Sequence, residues 1–180
     1  MKKLVFIGII VMIILISIAS GCTDEGDDEE EEEEEEELPD LGSAPGFTLT
    51  SIDNDTFSLS DFEGQVVILD FMATWCGPCK TEMEYLKDVY DNYDESDVQI
   101  ISIDIDETET NDMLRDFKDD YGDNWLYAID TYGDVEKDYL DPSDGIPYEY
   151  IIDQNGDIRY KHEGKHDSYE DIASIIDRLF

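Results

Sequence analysis

Apolar and polar positions divide the chain into three stretches of unlike character. Residues 4–19 are apolar except for Gly8 and Ser17. Residues 24–37 are acidic at every position but Gly26. From residue 41 onward, apolar positions alternate or recur at short periods, as in a folded domain. In that third stretch Phe47 and Leu49, then Phe57 and Leu59, alternate with polar neighbours around Asp53-Asn54-Asp55, which predicts a β-hairpin. A turn at 61–64 leads into residues 65–72, an apolar run broken only by Asp70. Such a run reads as a strand buried on both faces. Met83, Leu86, Tyr90 and Tyr93 then follow a 3–4–3 spacing and line up one helix face. Residues 98–105 predict a second buried strand. Met113, Leu114 and Phe117 mark a helix over 110–121, followed by a short strand at 125–129 and a short helix at 135–140. Residues 148–152 and 158–160 read as strands joined by Asn155-Gly156, a strong hairpin turn signal. Ile172, Ile175, Ile176 and Leu179 share one face of a final helix over 169–180. The order β–α–β–α–β–β–α predicts an α/β domain with a mixed sheet between helices.

Charge sharpens the division. The formal net charge is −38, from 49 acids and 11 bases. Residues 24–40 hold 14 of the acids and no base, and Lys2 and Lys3 sit in the leader, so residues 41–180 carry 35 acids against 9 bases, or −26. That field repels nucleic acid and anionic lipid, and neither is expected as a partner. It suits a high-salt setting, where repulsion is screened. The acidic run buries no apolar surface, so residues 22–40 are expected to be a disordered spacer. The remaining 140 residues (180 − 40) suffice for one core, since a domain of that size buries roughly 68% of its unfolded surface.

The leader reads as an export signal. Two lysines precede the apolar stretch, and Ala19-Ser20-Gly21 precede Cys22. This resembles a lipoprotein signal over residues 1–21, with cleavage before Cys22 and lipid attachment to its sulfur, although Ala19 stands where Leu or Val is commoner. An uncleaved signal anchor, or ordinary cleavage with a spare thiol, are the alternatives. All three place the rest of the chain outside the cytoplasmic membrane, with the lysine end inside.

Three cysteines are too few for a disulfide framework. Cys76 and Cys79 follow a buried strand and open a helix. A cysteine there faces free amide N–H groups and the positive end of the helix dipole, which favour thiolate over thiol. Thiolate attacks disulfides, and Cys79, one turn inward, is placed to resolve the mixed disulfide. Pro78 suits a first-turn position. A zinc site would need two further ligands. The chain has no second cysteine pair, and His162 and His166, distant in sequence, are expected at the surface near the last helix. No metal and no cofactor are therefore expected. Asp70, in its apolar strand, is expected to have a raised pKa and to exchange a proton with Cys79.

Trp75-Cys76-Gly77-Pro78-Cys79, with Asp70 and Phe71 ahead of it, resembles thioredoxin. The wider frame is similar to the TlpA/ResA-type lipoprotein and periplasmic thioredoxins: Ala44-Pro45-Gly46-Phe47-Thr48-Leu49, Ser58-Leu59-Ser60-Asp61, Gly145-Ile146-Pro147 and Ile151-Ile152-Asp153-Gln154-Asn155-Gly156. The resemblance implies a thioredoxin-like three-layer α/β/α sandwich with a mixed central sheet and an added N-terminal β-hairpin. It implies that Cys76 is the nucleophile and Cys79 the resolving thiol. It also implies that Pro147 is cis and lies against the pair, shaping with Trp75, Gly77, Pro78 and Ile146 a groove for a partner's backbone. Met72 departs from the family's usual Trp and Glu84 from its frequent Pro. The expected activity is thiol–disulfide exchange on secreted or membrane-associated proteins, by a membrane-tethered monomer supplied by a membrane electron donor. The competing readings are a non-catalytic client-binding module and a copper carrier. A peroxiredoxin is disfavoured, because Thr74 lies two places before Cys76 rather than three.

Overall fold

The computed structural model describes residues 37–180; the leader, Cys22 and most of the acidic run lie outside the described residues. Arg159 ties the start of this segment down. Its Nε donates to the Pro39 carbonyl at 2.9 Å and its Nη2 to the Leu38 carbonyl at 2.7 Å, and the Leu38 side chain is buried.

β1 (Thr48–Thr50) and β2 (Thr56–Ser58) form the antiparallel hairpin, with Leu49 opposite Phe57. Asn54 in its turn has φ 68°, a left-handed conformation that Asn tolerates. A 3-10 turn, Leu59–Phe62, follows, capped reciprocally by Ser58 and Asp61. The remaining elements are β3 (Val66–Met72), α1 (Gly77–Asn92), β4 (Val98–Asp104), α2 (Asn111–Tyr121), β5 (Leu126–Ile129), α3 (Asp134–Tyr139), β6 (Tyr148–Ile152), β7 (Ile158–Glu163) and α4 (Tyr169–Asp177). Thr110 caps α2 by accepting the Met113 amide at 3.3 Å. Ser168 and Asp171 box the start of α4.

The main sheet has the order β5-β4-β3-β6-β7, with β3 parallel to β4 and antiparallel to β6. All seven residues of β3 are buried. Val66, Ile68 and Met72 pack beneath α1, α2 and α4, against Met83, Leu86, Leu114, Phe117, Ile172 and Ile176. Val67, Leu69 and Phe71 face the other way, toward Phe57 of the hairpin, Val135 and Tyr139 of α3, and Tyr150. The predicted three-layer arrangement is therefore present, with the hairpin sharing the second outer layer with α3. The hairpin also covers the β5 edge: the Ile52 amide donates to the Tyr127 carbonyl at 2.9 Å. Covering an open edge removes a row of unpaired backbone groups.

Some boundaries differ from those the pattern predicts. β7 continues past residue 160 because Glu163 still pairs with Tyr148. Met113 is exposed, since Leu114 and Phe117 occupy the inward face of α2. Tyr93 caps α1 instead of lying within it, and its hydroxyl donates to Asp177 at 2.7 Å. Among the described residues, no helix is long and apolar enough to cross a membrane.

The packing yields a stability prediction. Leu86→Ala on the fully buried face of α1 is expected to cost about 2–5 kcal/mol in urea unfolding. Tyr132→Ala, which removes an exposed ring, should change stability by no more than about 0.5 kcal/mol.

Candidate functional site

β3 delivers the chain to the mouth of α1 through Ala73, Thr74 and Trp75. Cys76 is the N-cap of α1, with Gly77 and Pro78 in its first turn. Cys76 and Cys79 are joined by a disulfide, with Cα atoms 5.3 Å apart. The Cys79 amide donates to Cys76 Sγ at 3.1 Å. An N–H aimed at sulfur at the positive end of a helix stabilises the thiolate once the bond is reduced. Both cysteines are largely covered: Cys76 is 4% exposed and Cys79 0%.

The Ile146–Pro147 peptide bond is cis, and the Ile146 carbonyl oxygen lies 3.7 Å from Cys76 Sγ. A bonded sulfur carries no proton, so this is a contact in the disulfide form; in the dithiol it can become a weak S–H···O bond. The family resemblance implied one site for Cys76, Cys79, Ile146 and Pro147, and the fold brings the cis Ile146–Pro147 bond against Cys76. Trp75 is exposed beside them.

Acids that the sequence reading did not single out hold the loop before Cys76. Trp75 Nε1–H donates to Asp106 at 2.8 Å. Glu109 accepts the Thr74 amide at 3.1 Å and its hydroxyl at 2.6 Å. The hydrogen bonds from Thr108, then that from Trp75, hold the Asp106 carboxyl below its ordinary range. Both acids sit at the C-terminal side of β4, next in the sheet to β3.

Asp70 is fully buried in β3, as its apolar surroundings predict. Ser102, its register partner in β4, donates to Oδ2 at 2.9 Å, while Oδ1 has no partner. Burial pushes its pKa up to about 7; the Ser102 bond opposes this and the nearby Glu82 charge adds to it. Alternation along β3 puts Asp70 on the face of Ile68 and Met72, which pack in one cluster with Cys79. The expectation for the histidines needs correction. His166 is buried, not on the surface, and His162 is half-buried. Glu82 of α1 accepts the His166 amide at 2.9 Å and faces its Nδ1 at 2.6 Å. Glu149 of β6 is equally buried, and desolvation, then the Glu82 and Asp70 charges, raise its pKa well above the carboxylate range. The available signal for Glu149 was the one that found Asp70: a charge inside an apolar strand. For Glu82 it was its place one turn past Cys79, beside Met83 and Leu86.

A helix-capping disulfide over a buried acid, beside a cis-proline, in a five-stranded mixed sheet, defines a thioredoxin-like thiol–disulfide oxidoreductase. The chain belongs to the AhpC/TSA family, whose profile matches residues 42–161, and within it to the ResA-like thiol–disulfide oxidoreductases. It is 35% identical over 123 residues to the thiol-disulfide oxidoreductase ResA of Bacillus thuringiensis subsp. konkukian, covering 68% of each chain. It is 37% identical over 142 residues to ResA of Oceanobacillus iheyensis, covering 76% of this chain and 67% of that one. Among solved structures, a putative thiol:disulfide interchange protein DsbE from Chlorobium tepidum superposes with a TM-score of 0.69 at 28% identity, covering 79% of this chain and 99% of that one. A putative protein disulfide isomerase from Bacteroides thetaiotaomicron gives 0.68 at 29% identity, covering 80% and 92%. Protein dithiols and disulfides are accordingly its substrate class.

Asp70 makes stability depend on pH. Below the unfolded-state value near 3.8 the group is protonated in both states and carries no penalty. As pH rises, the unfolded chain loses the proton first, and the native state is progressively disfavoured until pH reaches about 7. Three units correspond to about 4 kcal/mol as an order of magnitude. Asp70→Asn should therefore stabilise the protein by a few kcal/mol more at pH 8 than at pH 4, measured by urea unfolding at both pH values.

Proposed function

We propose that the protein reduces disulfides of extracytoplasmic proteins while tethered to the membrane by its N-terminal segment. The observation that carries the redox direction is the Cys79 amide held on Cys76 Sγ at 3.1 Å, which favours the reduced, thiolate form. In this reading the Cys76 thiolate attacks a partner disulfide and expels one partner sulfur as thiolate. Cys79 gives its proton to the Asp70 carboxylate and attacks Cys76 Sγ, releasing the second partner thiolate. Two electrons pass to the partner, and the Cys76–Cys79 disulfide is left behind. The raised Asp70 pKa of about 7 suits that exchange near neutral pH.

The partner's backbone docks in a groove shaped by Trp75, Gly77, Pro78, Ile146 and Pro147. Two features support this. The Trp75 ring is 66% exposed, and a side chain at Gly77 would meet nothing of this chain. A signal over residues 1–21 directs export and is cleaved off; the tether is then lipid on Cys22 and the acidic spacer to residue 40, followed by the thioredoxin-like domain over 41–180. Its support is the sequence alone: two lysines, an apolar core, small residues and a cysteine. An electron donor in or across the membrane must re-reduce the pair, and the high negative charge of the domain favours a monomer.

Trapping tests the assignment. Cys79→Ser should accumulate mixed disulfides with disulfide-bonded substrates such as insulin, and Cys76→Ser should trap none and lose insulin reduction. Insulin reduction that persists in Cys76→Ser sinks the reading. The measured potential should lie nearer −270 mV than −120 mV, roughly the values of a reductant and an oxidant of this fold.

A further inference from the structure

A second polar centre lies between the sheet and α1, beside Asp70, and is built around Glu82, Glu149 and His166. Along one row of the sheet, Asp70 of β3, Glu149 of β6 and His162 of β7 are successive register partners. Glu82 descends on this row from α1, and His166 enters from the turn before α4. Glu82, Glu149 and His166 are each no more than 2% exposed. One ligand atom from each lies within 4.8 Å of the other two.

Hydrogen bonding sets the imidazole's orientation. Glu82 takes the His166 amide through Oε2 at 2.9 Å and faces Nδ1 through Oε1 at 2.6 Å. A carboxylate at Nδ1 places the proton there and leaves the Nε2 lone pair pointing away. Nε2 points toward Glu149 Oε1 at 3.8 Å, too far for a hydrogen bond. Neither Nε2 nor either Glu149 oxygen has any hydrogen-bond partner. Buried polar atoms are nearly always satisfied, so an unpartnered Nε2 facing an unpartnered Glu149 Oε1 calls for an electrophile between them. A shared proton would draw the two residues together. A metal ion would hold them at about this distance: with bonds of about 2.1 Å, a 3.8 Å span opens an angle of roughly 130°.

We propose that Glu149 and His166, with Glu82 orienting the imidazole, bind one divalent transition-metal ion of the zinc class between the sheet and α1. The donors are one imidazole nitrogen and carboxylate oxygens with no thiolate, a set that suits zinc, cobalt, iron or manganese and not Cu(I). Glu82 behind Nδ1 forms the carboxylate–histidine pairing that fixes ring orientation and raises ligand basicity. The ion also offsets the burial of Glu82 and Glu149 beside Asp70, which is otherwise costly. His162 stacks on His166 with ring centroids 4.3 Å apart. Both rings line a surface cleft with Tyr160 and Asp171.

The test uses the full chain with the Cys76–Cys79 pair oxidised and any Cys22 thiol alkylated, so that no sulfur can ligate. Titration with Co²⁺ in excess Mg²⁺, which occupies the acidic run, should give one equivalent bound, a visible absorption band without sulfur charge transfer, and displacement by Zn²⁺. Glu149→Gln, nearly isosteric, should weaken that binding at least about tenfold, and Glu82→Gln by about 10–100-fold. Should these variants fail to fold, X-ray absorption of the zinc-loaded wild type reads the shell directly: nitrogen and oxygen neighbours with imidazole scattering are expected. No Mg²⁺-resistant equivalent, a band unchanged in Glu149→Gln, or a shell containing sulfur or lacking imidazole overturns the proposal. The first of these results would leave Glu149 as a protonated acid facing Nε2.

Discussion

One amide N–H underlies the chemistry of this molecule: that of Cys79, directed at the sulfur of Cys76 from 3.1 Å away. A hydrogen bond of this kind needs a helix that starts at Cys76 and cannot slide. The start is set by β3, which is buried along its whole length and held between β4 and β6. The connecting loop is clamped from the side, with Thr74 on Glu109 and Trp75 on Asp106. The inward face of α1 is locked by Met83, Leu86 and Val89 in the core. Loosening any of these would let the N–H drift off the sulfur, and the thiolate would lose its stabilisation.

The same helix covers an interior that is more charged than a small domain's core usually is. Asp70, Glu82 and Glu149 are all buried beneath it. Each meets the cost of burial differently. Asp70 leans on Ser102 and on a raised pKa. Glu82 is satisfied by two groups of a single residue, His166. Glu149 has no hydrogen-bond partner at either oxygen. Charges placed this way in a low dielectric couple to one another strongly. The Asp70 carboxyl is therefore tuned by the residues around it, while the many exposed acids of the surface are screened by solvent and salt.

Much of the fold was legible because its signals are local. The all-apolar stretch of β3, the Asn155-Gly156 turn and the Ile172–Ile176 face of α4 depend only on spacing, and each lies where spacing put it. The cysteine pair was legible because strand and helix flank it directly. The polar interior was not. Glu82 and His166 are 84 positions apart, and a lone histidine beside Lys165 and Asp167 carries the composition of a surface turn. Met113 misled in the opposite sense: it fits the helical spacing, yet Leu114 and Phe117 already fill the inward face of α2.

By itself the sequence determined the order of elements, the position of two sulfurs at a helix start and the presence of an acid inside the strand behind them. These follow from short-range periodicity and from the few conformations open to a strand–turn–helix segment. Tertiary structure alone decided which side chains meet across the sheet. It set Ile146 and Pro147 against Cys76, brought Asp106 and Glu109 under the Trp75 loop, and closed His166 over Glu82 and Glu149. Such encounters depend on strand order and on how α1 and α4 settle on the sheet, and no local pattern encodes that geometry.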